Sequence, residues 1–458
     1  MTNVSRAAGD VDRAGLLARG LSAFIFAGLV AVVPLSSVPY GSVEPLWTAL
    51  FEVSVFLLAA LWALEGALAG RWVSRAHALA LPGVALAAYA LLQSLELGGG
   101  AVSYDPYETR LVALLFFTYT TYLALLLRYA DTERRLRALL YAVVLAGLAS
   151  ALFGIVRQTA QRGAEGFLLE ALRPNTGYAQ FINKNHFAYL AEMALGALLG
   201  LVAGRGVARA KALVPLALAL PIWAALVLSN SRGGLLAMFC QVIFLGATFG
   251  VTRARGANSA LDRIAGSKAA RAGLVFALLS TIVVGMVWLG GDAVADRVAS
   301  VGEEVTAGAT ADATHSGRRD IWAATWKTFT THPLAGVGFG GYWVAVSEQH
   351  EGSGGLVPQQ AHNDYLEVLA SGGLLGAGLV LAFLLLLVRR SAPRLRAGSA
   401  SARAACLGAL AGLCGVAVHS LVEFGLHVPS NAFAALALAA VAAAAIPLNG
   451  QKTSPYKY

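Results

Sequence analysis

Charge is what this chain has least of. Asp, Glu, Lys and Arg together make up 13% of its 458 residues, against 57% apolar residues, and mean hydropathy is +0.66. A soluble domain carries about 25% charged residues. The composition therefore excludes an ordinary soluble enzyme and defines a polytopic membrane protein. Cysteine is nearly missing as well. Cys240, Cys406 and Cys414 all fall in apolar runs, which excludes a disulfide framework and reads as small core side chains. No GxxxxGK[ST] phosphate loop occurs, so nothing points to an ATPase. There is no internal repeat, and no long low-complexity tract beyond the Ala-rich last apolar run.

What is present is a series of long apolar runs. A bilayer takes about 20 apolar residues per helical crossing, and on that ruler the chain is all-α with about 12 transmembrane helices. They are expected over Leu21–Val38, Leu50–Ala69, Ala78–Leu95, Leu111–Leu127, Leu139–Val156, Phe187–Ala203, Ala212–Leu228, Leu235–Gly250, Gly273–Gly290, Gly373–Val388, Ala404–Leu421 and Ala432–Ile446. The whole chain, 1–458, then forms one integral membrane domain, with a long, partly helical outer loop at 291–371 and a shorter one at 157–186. The many Gly and Ala residues suit close helix packing in lipid. The first run is too long, and lacks the small-residue cleavage site, to be a removed signal peptide.

Basic residues orient the series. With Arg6, Arg13 and Arg19 on the cytoplasmic side, alternate loops collect most of the 34 Lys and Arg, through Arg389, Arg390, Arg394 and Arg396 to Lys452 and Lys457. This positive-inside bias puts both termini in the cytoplasm and the two long loops outside. The net charge of +9 is then orientation signal plus attraction to anionic head groups, not a nucleic-acid footprint.

Three outward segments break the apolar monotony. The first runs from Arg157 to His186 and holds Asn183, Lys184 and Asn185. The second is the turn Ser229-Asn230-Ser231-Arg232-Gly233-Gly234. The third ends in His362-Asn363-Asp364-Tyr365-Leu366-Glu367, entering a span. Polar side chains at a membrane boundary are costly unless used, and their convergence would make one polar site. Arg232 either snorkels to head groups or, beside two glycines, lines an anion pocket. Lys184 is either a solvated loop charge or a ligand contact. Arg318 and Arg319 open a stretch with Trp322, Trp326 and Phe329 at helical spacing, which suits an interfacial amphipathic helix. Two arginines at a helix start call for an anion there, because the helix dipole disfavours cations.

Gly336-Val337-Gly338-Phe339-Gly340-Gly341 lacks the strand–turn–helix setting of a nucleotide fingerprint. It reads as a bend returning the chain to the membrane. His315, His332, His350 and His362 fit no common metal spacing, so no metal is expected. Imidazole titrates near working pH, and a histidine at the head of a span, amid Asn363, Asp364 and Tyr365, suits removal of a proton from an attacking hydroxyl. Asp364 is placed to favour the helix dipole, orient the ring or bind sugar. The set supports displacement at a carbon bearing a diphosphate, with arginine meeting the charge on the leaving group. Glu192, in the sixth span, is either a relay carboxylate or bonded to a neighbouring helix.

His362-Asn363-x-x-Leu366 through Gly372 and Gly376 resembles the outer-loop-to-helix signature of the bacterial O-antigen ligase and O-antigen polymerase superfamily. Ser231-Arg232-Gly233, Gly317-Arg318-x-x-x-Trp322, His332-Pro333-Leu334-Ala335-Gly336 and Asn183-Lys184-Asn185-His186-Phe187 are similar to it in the same order. The likeness runs from about Gly154 onward, and Ser371 departs from the family's usual acidic residue or threonine. The resemblance implies an inner-membrane glycosyltransferase needing neither metal nor cofactor and using an undecaprenyl-diphosphate-linked oligosaccharide donor at the periplasmic face. Carried over, His362 is the base, and Arg232 and Arg318 contact the diphosphate. Arg319, Arg157, Lys184, Asn183, Asn185, Asn363 and Tyr365 are candidate substrate-binding residues. The acceptor is a second glycan, as in exopolysaccharide and O-antigen polymerases, or lipid A core, as in ligases. Membrane lipids, and a chain-length regulator against the lipid-facing helices, are further partners. The ending at Lys457-Tyr458 lacks the extra region expected of protein-modifying members. The rival from another class is a lipid-linked glycan flippase, which the span count and basic bias fit equally well.

Overall fold

Five of the described helices are capped at their start by Asp, Thr, Asn or Ser. Asp105 accepts the amide of Glu108 at 3.0 Å, with Pro106 in the first helical position, and Thr132, Asn183, Asn363 and Ser399 likewise accept first-turn amides, satisfying donors the helix leaves unpaired. The computed structural model describes residues 2–73, 75–96, 100–161, 164, 166–174, 176–208, 211–248, 318–350, 358–396 and 398–444. The helices are α1 (Thr2–Ser37), α2 (Pro45–Ala69), α3 (Leu81–Gln93), α4 (Pro106–Tyr129), α5 (Glu133–Ala160), α6 (Lys184–Ala203), α7 (Leu213–Leu228), α8 (Arg232–Thr248), α9 (Arg318–Thr331), α10 (Tyr342–Ser347), α11 (Asp364–Arg394), α12 (Ala400–His419) and α13 (Pro429–Ala443). Among the described residues there is no strand, only two isolated bridges in the loop before α6.

Among the described residues seven helices, α1, α2, α4, α5, α6, α11 and α12, are long and apolar enough to cross a membrane, and α3, α7, α8 and α13 are shorter apolar helices. Eleven of the twelve expected spans therefore coincide with a helix. The remaining one, the ninth (Gly273–Gly290), lies outside the described residues, as does the part of the long loop before Arg318. The protein is an all-helical, polytopic membrane protein.

α6 is the axis of the bundle. In its apolar window 83% is buried, against 17% for α2, and a helix apolar all round belongs inside. It crosses α12 through glycines. A Cβ on Gly196 would stand 2.4 Å from the Gly412 nitrogen, and one on Gly200 would stand 2.2 Å from the Gly408 Cα. Close backbone approach of this kind is how helices gain dispersion contact in lipid. The three cysteines are free.

α11 is two helices joined at Gly373, whose backbone (φ 60°, ψ −163°) interrupts the helix. The break frees peptide groups, and the loop after α9 takes them up. Val337 and Gly338 donate to the carbonyls of Ala370 and Ser371, while Leu374 and Leu375 donate to Pro333 and Leu334. Gln93 of α3 donates to both Ser371 and Ala335. Gly372 and Gly376 make a flat seat for Phe339, since a Cβ on either would come within 3 Å of that ring. The glycine-rich bend is therefore a plug in the kink of α11.

Candidate functional site

His362 stands one residue outside the α11 cap with φ of 49°. A left-handed backbone costs a non-glycine residue roughly 1–2 kcal/mol, and such strain persists only where the surroundings fix it. Here they do. The Ala361 amide donates to Glu367 Oε2 at 2.7 Å, and its carbonyl accepts from Trp322 Nε1 at 2.9 Å. On the other side Asn363 Oδ1 accepts the amides of Tyr365 and Leu366, and the Asp364 amide donates to the Ser420 carbonyl.

Held this way, His362 Nδ1 lies 2.7 Å from Oε1 of Glu423. Glu423 sits in the turn between α12 and α13 and is buried, with 1% of its side chain exposed. A buried carboxylate needs partners, and it has them. Arg318 donates to Oε2 at 2.9 Å from the start of α9, and Asn185 of α6 donates to the same oxygen. Asn185 Oδ1 in turn accepts from Ser231 Oγ at 2.8 Å, and Ser231 also accepts the Gly234 amide at the start of α8. Burial pushes the Glu423 carboxyl up. The hydrogen bond and charge of His362, with the charges of Arg318 and His186, outweigh it and hold the group below the usual carboxylate range.

The turn is mounted on α6. Tyr189 donates to the Glu423 carbonyl at 3.3 Å and lies 3.2 Å from Ser420 Oγ. Its ring stacks on His419 at 4.2 Å, and His419 Nδ1 faces Glu192 Oε2 at 3.1 Å. Glu192 is thus bonded to a neighbouring helix. Only glycine fits at 425, where a Cβ would meet the Tyr189 ring at 2.3 Å.

The three outward segments do converge, through Asn185, Ser231, Arg318 and His362 on one carboxylate. The anion that the arginine-rich start of α9 called for is supplied by the protein itself, as Glu423. Asp364 does not orient the His362 ring; its Oδ2 accepts from Ser420 Oγ at 2.6 Å. Trp322 is not a head-group anchor, because its indole N–H ties down the His362 turn, whereas Trp326 is 53% exposed. Arg232 is exposed and opens α8, next to Ser231, and Arg319 is exposed beside Arg318. Lys184 opens α6, and Asn183 and Asn363 commit their side-chain oxygens to helix caps. Tyr365 donates to the Ala417 carbonyl. Arg157 stands apart from the cluster. Buried, it donates to Gln161 and to the carbonyls of Arg173, Thr176 and Ala179, and so ties its own loop together.

Sequence reasoning missed Glu423. The signal was there: the short turn between the last two spans lies on the outward side of the alternation, yet holds Glu423 and His427.

Fold and site together define a polytopic helical membrane protein with a histidine–carboxylate–arginine cluster at one end of its bundle. Residues 216–381 match the model of the O-antigen ligase family, a stretch that contains Arg232, Arg318 and His362 and stops short of Glu423. The match supports the O-antigen ligase and polymerase superfamily, and with it an enzyme of lipid-linked glycan transfer rather than a flippase. No curated relative matches the chain.

Proposed function

We propose that the protein is a glycan polymerase of the bacterial inner membrane, with both termini cytoplasmic, that transfers undecaprenyl-diphosphate-linked glycan to a second glycan at the periplasmic face. The observation that carries the reading is the His362–Glu423 pair. An Nδ1–H donated to a buried carboxylate leaves the lone pair of a neutral imidazole on Nε2. Nε2 takes the proton of the acceptor hydroxyl, and that oxygen attacks the anomeric carbon. The bond from this carbon to the diphosphate oxygen breaks, and the electron pair leaves with the diphosphate. Arg318, 48% exposed beyond its bond to Glu423, and Arg232 meet that charge. Arg319 and Lys184 extend the basic surface along the donor.

The description of the matched family, an O-antigen ligase, favours one second reading, with lipid A core as acceptor. Purified protein reconstituted with lipid-linked repeat units alone, with products separated by size, distinguishes the two. A ladder supports the polymerase. Product formed only after lipid A core is added supports the ligase, and no transfer in either case overturns both.

A further inference from the structure

Besides His362 and the buried His419, a third imidazole at this end of the bundle, His427, is backed by carboxylates. Phe424 packs edge-to-face against His362 at 4.9 Å and against His427 at 5.9 Å. His427 Nε2 lies 3.4 Å from Glu367 Oε1 and 3.7 Å from Asp364 Oδ1. The other carboxylate oxygens are taken inside the protein, Asp364 Oδ2 by Ser420 and Glu367 Oε2 by the Ala361 amide. What faces outward is the imidazole. Its side chain is 41% exposed, and Nδ1 has no hydrogen bond among the described residues.

We propose that His427 is the seat of the acceptor sugar, its Nδ1 accepting a hydroxyl of the ring whose nucleophilic hydroxyl lies against His362 Nε2. The inference rests on the glycan-transfer reading and adds to it a division of the site by charge. With Nε2–H turned to the carboxylates, Nδ1 is an acceptor and takes an O–H donor. Desolvation, against the opposing charge of Asp364, holds His427 below the ordinary histidine range, so the lone pair is present at neutral pH. The two acidic side chains behind the ring give an anion no countercharge there. The diphosphate therefore belongs beside Arg318, and the neutral polyol beside His427. Phe424 packs against both imidazoles and so joins them on one surface. Glu367 serves both, since one oxygen faces His427 and the other fixes the peptide before His362.

The test is binding, so that it is read separately from transfer. The probe is the free oligosaccharide released by mild acid from the host cells' own lipid-linked glycan, observed by saturation-transfer NMR with detergent-purified protein. Wild type is expected to bind it. His427→Leu is expected to weaken binding on the order of tenfold, the worth of one lost hydrogen bond. His427→Gln, which keeps an acceptor atom, is expected to recover part of the affinity. Thermal unfolding of each variant separates lost binding from lost fold. Equal binding by folded His427→Leu, or no binding by wild type, overturns the seat. Failure of the transfer reading shows elsewhere, as a wild-type protein that binds the oligosaccharide and never lengthens it.

Discussion

His362 Nδ1 lies 2.7 Å from Glu423 Oε1 across 61 residues of sequence, and that contact joins the outer loop to the turn between the last two helices. The same carboxylate pairs with Arg318. One buried group thus orients the proposed base and anchors the arginine proposed to meet the leaving group. Its removal has two separable effects.

Glu423→Gln keeps the shape and removes the charge. Transfer is expected to fall on the order of 10²-fold, the scale of a general base left unoriented. Stability carries its own signature. A carboxyl held below its unfolded value contributes stability above the ordinary carboxylate range, and loses it as pH falls through the lower folded value. Thermal unfolding against pH should show that acid limb in wild type. In Glu423→Gln the limb should be gone, with the deficit relative to wild type largest near neutral pH and shrinking on acidification.

Trp322→Phe removes one indole N–H from the Ala361 carbonyl. If Trp322 holds the left-handed turn at His362, the turnover rate falls roughly tenfold, as for one lost hydrogen bond, while KM for the donor is unchanged. Steady-state kinetics on reconstituted protein read both. A change in KM alone would assign Trp322 to substrate contact instead.

Gly373→Ala tests the kink of α11. Its φ of 60° and ψ of −163° exclude a side chain, and a Cβ would stand 2.3 Å from the Leu334 carbonyl oxygen. The expected loss is about 1–3 kcal/mol of stability, read as an earlier thermal transition in detergent. A transition at the wild-type temperature would mean that the break is not held by this residue.

Arg157→Ala separates a loop clasp from a substrate contact. Arg157 is buried with four hydrogen bonds to its own loop and terminal turn, so its loss leaves carbonyls unpaired and lowers the unfolding temperature. Donor KM in the surviving folded protein is expected to match wild type, whereas Arg318→Ala is expected to raise it.

The apolar spans were legible because each is a long local run, and helix follows wherever such a run is described. Their starts were less so. α3 starts three residues after the run that suggested it and α13 three residues before, because Pro82 and Pro429 stand in the first turn and set where each helix begins. His362 and Arg318 stood out as polar residues at span and helix starts. Glu423 did not, since a single acid between two apolar spans gains meaning only from partners on α6, on α9 and before α11. Trp322 and Trp326 share one helical stripe in sequence. Which faces the site and which stays exposed depends on where the Ala361 carbonyl lands, a nonlocal matter.

The most direct measurement compares wild type with His362→Ala, each reconstituted with undecaprenyl-diphosphate-linked repeat units and its products separated by size. The account predicts a ladder in wild type and none in the variant, with both proteins equally abundant and folded. A ladder of undiminished length and yield from His362→Ala would contradict it.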